Sequence, residues 1–386
     1  MAVFLDHAAT SPLRPEALAA LTDALSQLGN PSSTHSHGQA TREILEQARD
    51  KIAAAVGCNR AEVVFCSGGT EANNLAIKGI WWSRKSPTRK LIISTAIEHK
   101  ALLDPIEWLV ENEGAEFIQI SINNGEVDLA AIQEIVRQRH FEIALISMMW
   151  VNNETGVITD INKIVQLASE YDIPVHSDAV AALGRIPIDF ADSGLTAMSI
   201  SGHKVGAPIG IGALVVRRDA KPMSLIHGGG QERGLRSGTM NYSLASSFAA
   251  AAEQAVSEMP TTQARLKKLR DQIETEITNL FPTTKITAGS AKRVEHNAHF
   301  IFPGVNNDSL LFLLDQQGVS VSAGSACQAG VLGPSHVLIG MGYSEAEAAS
   351  CLRVTLGHTS TDQDVAAFLE ALKSAYPRAL AASQSR

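Results

Sequence analysis

Short apolar segments alternate with helical patterns between residues 62 and 216, and this alternation restricts the possible folds more than any other feature of the chain. Strands that alternate with helices are typical of a mostly parallel sheet covered by helices on both faces. In such sheets, ligands bind beyond the carboxyl ends of the strands. The pattern therefore predicts an α/β fold with a binding site at one edge of the sheet. The predicted strands are 62–66, 90–94, 116–120, 142–148, 173–176, 196–200 and 211–216.

The length of the chain indicates two domains, because 386 residues exceed what one compact core usually organises. We predict a large α/β domain over 15–258 and a smaller α+β domain made of 1–14 together with 259–386. The smaller domain is expected to carry a mobile, cysteine-bearing loop at about 322–335. Further helices are predicted at 15–28, 39–56, 241–259 and 262–280.

The composition argues against several classes of protein. Apolar residues make up 45% and charged residues 19% of the chain, which is typical of a globular protein. No apolar run is long enough to span a membrane, and residues 1–10 lack the basic and apolar stretches of a secretory signal. The net charge of −8 argues against direct nucleic-acid binding. We expect a cytoplasmic protein, because its four cysteines show no C-x-x-C spacing and suit free thiols: Cys58, Cys66, Cys327 and Cys351.

A lysine and an aspartate at strand ends indicate a cofactor. Lys204 lies in the segment S-G-H-K-V-G, between two apolar runs, and Asp178 ends the run I-P-V-H-S-D. A pyridoxal phosphate enzyme requires this pair, since the lysine forms a Schiff base with the cofactor aldehyde and the carboxylate keeps the pyridine nitrogen protonated. An isolated lysine is more often an ordinary loop residue. The acid at a neighbouring strand end is what favours the cofactor hypothesis.

Other polar groups follow strands of the same predicted sheet. Gly69 and Thr70 begin a helix after the first strand, where free N–H groups and the helix dipole favour an anion, although a simple helix cap explains them about as well. His99 and Asn153 follow two further strands. The loop from Asn30 to residue 38 is rich in donors and acceptors and is either a connector or a wall of the site.

A thiol and a guanidinium in the last third of the chain complete the candidates. Cys327 lies among small residues in V-S-A-G-S-A-C-Q-A-G, where an open thiol can act as a nucleophile if its pKa is lowered or a base is near. Arg353 lies in a predicted strand and either forms a structural ion pair or binds a substrate carboxylate. The other three cysteines lie in or beside apolar segments, and we expect them to be buried and unreactive.

Taken together in this order, the motifs resemble those of the cysteine desulfurases, pyridoxal phosphate enzymes of the aspartate-aminotransferase-like fold (fold type I). The resemblance covers nearly the whole chain. It implies that L-cysteine is converted to L-alanine and that the sulfur passes to an enzyme cysteine as a persulfide, for iron–sulfur cluster assembly or other thio-transfer. The motifs are L-D-H-A-A-T-S-P, G-N-P-S-S-T-H, S-G-G-T-E-A-N-N, E-H-K, V-N-N-E-T-G, H-S-D-A, S-G-H-K, H-G-G-G-Q-E-R-G-L-R-S-G-T, S-A-G-S-A-C and L-R-V-T-L-G.

The resemblance also assigns residue roles. It makes Lys204 the Schiff-base lysine, Asp178 the partner of the pyridine nitrogen, and His99 a ring-stacking residue that also moves protons. Cys327 matches the persulfide carrier, and Arg353 matches the arginine that binds the substrate carboxylate, a site to which we also assign Asn30. The remaining cofactor contacts are expected from Gly69, Thr70, Asn153, Ser201, Gly202, His203 and, from the neighbouring subunit, Thr239.

The phosphate contact across subunits implies a homodimer, and relatives dock a scaffold or another sulfur-acceptor protein. In that setting Cys327 is expected to hold a [2Fe-2S] cluster transiently. One position departs from the family pattern, since Ala181 stands where a glutamine usually bonds the cofactor's ring hydroxyl. A selenocysteine lyase or an aminotransferase on the same fold stays an alternative. A non-enzymatic sulfur-relay protein is a more distant one.

Overall fold

The computed structural model describes residues 2–324 and 333–384, so Cys327 lies outside the described residues. The strands are Val3–Phe4 (β1), Val63–Cys66 (β2), Leu91–Thr95 (β3), Glu116–Ile120 (β4), Ile122–Asn123 (β5), Glu126–Val127 (β6), Ile143–Ser147 (β7), Val175–Asp178 (β8), Ala197–Ser201 (β9), Gly212–Val216 (β10), Lys285–Ile286 (β11), Asn297–Ile301 (β12), Val319–Ser320 (β13) and Cys351–Thr355 (β14). The α-helices are Pro15–Leu25 (α1), Ser36–Val56 (α2), Gly69–Arg84 (α3), Lys100–Glu113 (α4), Leu129–Arg139 (α5), Ile161–Ser169 (α6), Phe190–Ser193 (α7), Tyr242–Ser257 (α8), Met259–Leu280 (α9), Asn307–Asp315 (α10), His336–Gly340 (α11), Glu345–Ala348 (α12) and Asp362–Gln384 (α13).

A seven-stranded sheet in the order β2-β10-β9-β8-β7-β3-β4 forms the centre of the molecule. Strand β10 is antiparallel to both of its neighbours, and the other pairs are parallel. Every residue of β7, β8, β9 and β10 is buried. Such burial on both faces is expected where helices cover the two sides of a parallel sheet. The predicted mostly parallel α/β sheet is confirmed.

Several predicted helix ends differ from the observed ones: α2 begins at Ser36 instead of residue 39, and α8 spans Tyr242–Ser257 instead of 241–259. Helix α2 ends as predicted at Gly57, whose φ of 64° is left-handed. The predicted helix at 15–28 is too long, because α1 ends at Leu25. Gly29 does not cap this helix but allows a close backbone contact, since a Cβ there would lie 2.2 Å from the carbonyl oxygen of His37. The helix predicted from 262 begins earlier, at Met259, with Pro260 in its first turn.

A second hydrophobic core lies around the antiparallel sheet β11-β12-β14. Helices α9, α10 and α13 contribute its apolar side chains, and Val3 and Leu5 from the start of the chain pack into it. Strand β1 pairs with β13 in parallel. The domain division at 14/15 and 258/259 stays a prediction, which this separate core supports. Among the described residues, no helix is both long and apolar enough to cross a membrane.

Candidate active site

A cavity of about 330 Å³ opens at the edge of the central sheet where β2, β3, β7, β8 and β9 end. Its walls include residues from all five strand ends, as well as from the start of the chain and from the second core. The predicted site residues that line it are Gly69, Thr70, His99, Asn153, Asp178, Ser201, His203, Lys204 and Arg353.

Lys204 lies in the short turn that joins β9 to β10, as the glycines around it predicted. Its Nζ donates hydrogen bonds to the carbonyl oxygens of Ala8, at 2.6 Å, and Ala9, at 2.8 Å. The Ser11 hydroxyl donates to the Lys204 carbonyl oxygen at 2.9 Å. The segment D-H-A-A-T-S thus fixes the amine at the cavity wall through uncharged groups.

Asp178 ends β8 and is almost fully buried. Oδ2 accepts a hydrogen bond from Nδ2 of Asn73 at 2.7 Å, and Oδ1 accepts one from the backbone N–H of Val180 at 2.9 Å. Within residues 2–324 and 333–384, no cation forms an ion pair with this carboxylate. A buried carboxylate of this kind has room for a positively charged ligand group, such as a protonated pyridine.

The start of helix α3 forms an anion cradle beside these two residues. Gly68 precedes the helix without a side-chain cap, and Gly69 and Thr70 of the first turn line the cavity, so the first N–H groups are available to an anion there. The buried Ser201 Oγ has no hydrogen-bond partner within the described chain. A Cβ at Gly69 would lie 2.7 Å from Cγ2 of Val180, so a larger residue would close the cradle. The lysine, the acid and this cradle together fit pyridoxal phosphate.

His99 is fixed by the helix that follows it. It caps α4, and its Nδ1 accepts a hydrogen bond from the backbone N–H of Ala101 at 3.0 Å. The neutral ring therefore carries its hydrogen on Nε2. Glu98, next to it, is fully buried and accepts hydrogen bonds from the Met149 N–H at 3.0 and 3.1 Å. Burial raises the pKa of the Glu98 carboxyl to about 8.

Arg353 forms the structural ion pair that was one of its two predicted roles, and its binding of a substrate carboxylate stays a prediction. The side chain is buried, and its Nη2 forms an ion pair of 2.9 Å with Oδ1 of Asp6. Its Nη1 donates to the carbonyl oxygen of Asn153 at 3.0 Å. The same guanidinium lines the cavity. It is therefore both a structural ion pair and a wall of the site.

Three predicted residues lie apart from this group. Asn30 is exposed, accepts a hydrogen bond from the Ser32 N–H, and is not part of the cavity wall. Thr239 is exposed and also outside the wall. Gly202 is buried between Ser201 and His203. The roles of all three stay predictions, as does that of Cys327.

The cavity also contains polar residues that the sequence did not reveal. Asn73 lies three residues after Thr70 in α3, and residues at this spacing share one face of a helix. This spacing could have predicted that Asn73 faces the same site as Thr70. His7, Arg185 and His296 come from three distant segments. No local pattern brings them together.

The thiols of Cys58, Cys66 and Cys351 are not suited to act as nucleophiles. Cys66 and Cys351 are buried as predicted, and Cys58 is half-buried. Burial raises the pKa of Cys58 and of Cys351 to about 12, and it raises that of Cys66 as well. These thiols are therefore protonated and unreactive at neutral pH. Within the described residues, no group of three or more histidines, cysteines or acids could hold a metal ion.

The chain is similar to known proteins over almost its whole length. It matches the aminotransferase class-V family over residues 3–368. An IscS-like cysteine desulfurase of Mycobacterium tuberculosis is 46% identical over 380 residues, which cover 97% of this chain and 96% of that protein. The structure of a NifS-like protein from Rickettsia africae ESF-5 is 32% identical, with a TM-score of 0.88, and covers 98% of this chain and 100% of its own.

A further solved structure, described as SspA in complex with cysteine, is 33% identical, with a TM-score of 0.79. The match covers 92% of this chain and 98% of that one. These neighbours confirm the predicted aspartate-aminotransferase-like fold of type I. The chain belongs to the class-V aminotransferase family and, within it, to the cysteine desulfurases.

Proposed function

We propose that this protein is a pyridoxal phosphate-dependent cysteine desulfurase, which converts L-cysteine to L-alanine and passes the sulfur to Cys327. The observation that carries the proposal is the meeting of Lys204, Asp178, His99 and Arg353 in one cavity. Relatives named cysteine desulfurase, and the neighbour solved in complex with cysteine, support the choice of substrate.

The cavity residues would hold the cofactor in a single orientation. Asp178 would pair with the ring nitrogen, because its buried carboxylate has no cation partner among the described residues. Thr70, Ser201, His203 and the first N–H groups of α3 would hold the phosphate. When bound, pyridoxal phosphate supplies an electron sink for the charge released at the α-carbon of an amino acid.

The lysine amine is the group that would move the α-proton. Lys204 Nζ lies at the cavity wall, where it donates hydrogen bonds to the backbone carbonyl oxygens of Ala8 and Ala9. In its uncharged form this nitrogen accepts the α-proton of the bound amino acid and later returns a proton. His99, whose neutral ring carries a hydrogen on Nε2, is proposed to assist the return.

The transfer of sulfur from the bound cysteine to Cys327 requires no external oxidant. The Cys327 thiolate attacks the sulfur of the bound cysteine, so that an S–S bond forms as the Cβ–S bond breaks. The Cβ carbon keeps the bonding electrons and takes up a proton, and alanine leaves. The product is a persulfide on Cys327, which an acceptor thiol then removes.

The assembly belongs to the same proposal. Thr239 is exposed and lies outside the cavity wall of its own chain, which supports a homodimer in which it completes the partner's phosphate site. We further propose a cytoplasmic location, an iron–sulfur scaffold or other protein as sulfur acceptor, and transient [2Fe-2S] binding at Cys327 as cargo shared with that scaffold.

The deciding experiment measures alanine and sulfide together from L-cysteine and a thiol reductant. The cofactor-loaded protein should release both in equal amounts. The Cys327→Ala variant should release neither at a comparable rate, whereas Cys58→Ala, which removes a thiol of raised pKa, should behave as the parent. Consumption of cysteine that yields its 2-oxo acid, with neither alanine nor sulfide, would indicate transamination. Equal activity in both variants would refute sulfur transfer through Cys327.

A further inference from the structure

Arg185 is a cation of the cavity wall that has no counter-charge among the residues the structure describes. Arg185 lines the same cavity as Arg353. Arg353 is neutralised by Asp6 at 2.9 Å, but within the described residues no carboxylate lies within ion-pair distance of Arg185. Among the described residues, Arg185 forms hydrogen bonds only through its backbone. Its N–H donates to the carbonyl oxygen of Ala182, and its carbonyl oxygen accepts from the side-chain amide of Gln263.

The groups around Arg185 do not offset its charge. His7 and His296 line the same cavity, lie close enough to Arg185 for its charge to act on them, and are buried. Burial and the charge of Arg185 lower the pKa of His7 to about 3 and that of His296 well below its ordinary value, so both rings are neutral at pH 7. Arg14 adds repulsion but is itself paired with Glu258 at 2.8 Å. Burial and Arg14 lower the pKa of Arg185 to about 10, so Arg185 stays charged.

A partly buried guanidinium without an anion is unfavourable, because it loses water without gaining a counter-charge. The planar fork of arginine matches a carboxylate through two parallel hydrogen bonds. The half-buried Arg185 borders the open space of the cavity, where such a ligand group has access. The positive end of this cavity is thus suited to a small carboxylate.

We propose that Arg185 binds the carboxylate of the amino-acid ligand, as a second recognition residue beside the Asp6-neutralised Arg353. The identity of that ligand as L-cysteine rests on the proposed function. The carboxylate-binding property of Arg185 does not. Removing the charge weakens binding of any ligand that presents a carboxylate to this end of the cavity and leaves ligands without one unaffected.

The test is calorimetric titration of the cofactor-loaded protein with 3-mercaptopropionate, which has the carboxylate and thiol of cysteine but no amine. The dissociation constant should rise roughly tenfold or more in Arg185→Gln, as for loss of a hydrogen bond between charged groups. The conservative Arg185→Lys should lose less. The matched variant Arg84→Gln, which changes a half-buried arginine that is not part of the cavity wall, should bind as the parent does.

Titration with 2-mercaptoethanol, which has no carboxylate, separates charge recognition from a general defect and should give the same result in all variants. If Arg185→Gln and Arg185→Lys both bind 3-mercaptopropionate with the parent affinity, the proposal is wrong. A loss seen only in Arg353→Gln would overturn it too. The binding measurement does not depend on turnover. If the parent protein made no alanine, the proposed function would be wrong, but the effect of Arg185 on carboxylate binding could still be measured.

Discussion

The side-chain amide of Asn73 donates a hydrogen bond of 2.7 Å to Oδ2 of Asp178, and this bond joins the first turns of α3 to the end of β8. The helix whose N-terminus forms the anion cradle therefore also orients the carboxylate proposed for the ring nitrogen. The Oδ1 atom of Asn73 is buried without a partner within the described chain. The phosphate end and the ring end of the cavity are thus coupled through one side chain.

Asn73→Ala should weaken cofactor binding roughly tenfold or more, because a hydrogen bond to a charged group is lost. Asn73→Asp should weaken it further, since two carboxylates at this distance cannot both be ionised. Absorbance titration of the apoprotein with pyridoxal phosphate measures both. The neighbouring Asn74→Ala, which only loses a bond to the Thr70 carbonyl, serves as control and should stay within about twofold of the parent. Equal affinities in Asn73→Ala and Asn74→Ala would contradict this role.

The sequence predicted the part of the site that depends on the order of strands and helices along the chain. Thr70, His99, Asn153, Asp178 and Lys204 each follow a strand, and parallel strands bring their carboxyl ends to one edge. That geometry follows from the strand–helix alternation alone, so the convergence of these side chains could be predicted. Their roles required the family resemblance, because spacing does not say which atom a side chain meets.

The remainder depended on contacts between distant segments. Asp6 and Arg353 are 347 residues apart, and their pairing is set by the parallel contact of the first residues with β14. His7, Arg185 and His296 likewise meet only through tertiary packing. No local sequence pattern marks these three residues, because each lies in a turn or at the end of an element. Secondary-structure propensity at such positions does not indicate which distant residues they contact.

The loop that carries Thr239 is anchored by a buried ion pair, which makes its stability testable. Glu232 accepts two hydrogen bonds of 2.8 Å from Arg49 and one of 2.9 Å from the Phe65 N–H. Glu232→Gln should lower the free energy of unfolding by about 3 kcal/mol, because the Arg49 guanidinium stays buried without its counter-charge. Urea unfolding followed by circular dichroism measures the change.

The exposed pair Lys51–Glu253 provides the matched control, with side chains 48% and 57% exposed. Glu253→Gln should change the free energy of unfolding by less than about 1 kcal/mol, because water and salt screen this pair. If the two variants unfold at the same urea concentration, the Arg49–Glu232 pair does not stabilise the fold as argued.

Stability should fall as the pH drops below about 6.5, the ordinary pKa of histidine. Burial lowers the pKa of His176 to about 3, while its ring bonds Ser147 at 2.8 Å and Ser199 at 2.9 Å. Between these two pH values the unfolded chain binds a proton that the folded chain excludes. The contribution is thus complete above pH 6.5 and is lost by at most about 1.4 kcal/mol per pH unit on acidification.

Urea unfolding at a series of pH values tests this assignment. His176→Gln should remove close to one proton from the pH dependence of the unfolding free energy. Ser147→Ala leaves the buried imidazole in place, so it should lower stability at every pH while keeping the parent slope. A parent slope in His176→Gln would show that other groups cause the acid sensitivity.

Ala181 stands where the family pattern has a glutamine, so the hydrogen bond from that side chain to the cofactor's ring hydroxyl is missing in this chain. Ala181 is half-buried and lines the cavity three residues after Asp178. Ala181→Gln should supply the hydrogen bond to the cofactor's ring hydroxyl, shift the absorption maximum of the bound cofactor, and tighten its binding about threefold to tenfold, as for one neutral hydrogen bond. Ala181→Met has similar length without the amide, so it should leave the maximum in place. Absorbance spectra and titrations of the three proteins decide the matter. Identical spectra for Gln and Met would mean that the amide does not reach the ring, and that this chain orients the cofactor without a contact from position 181.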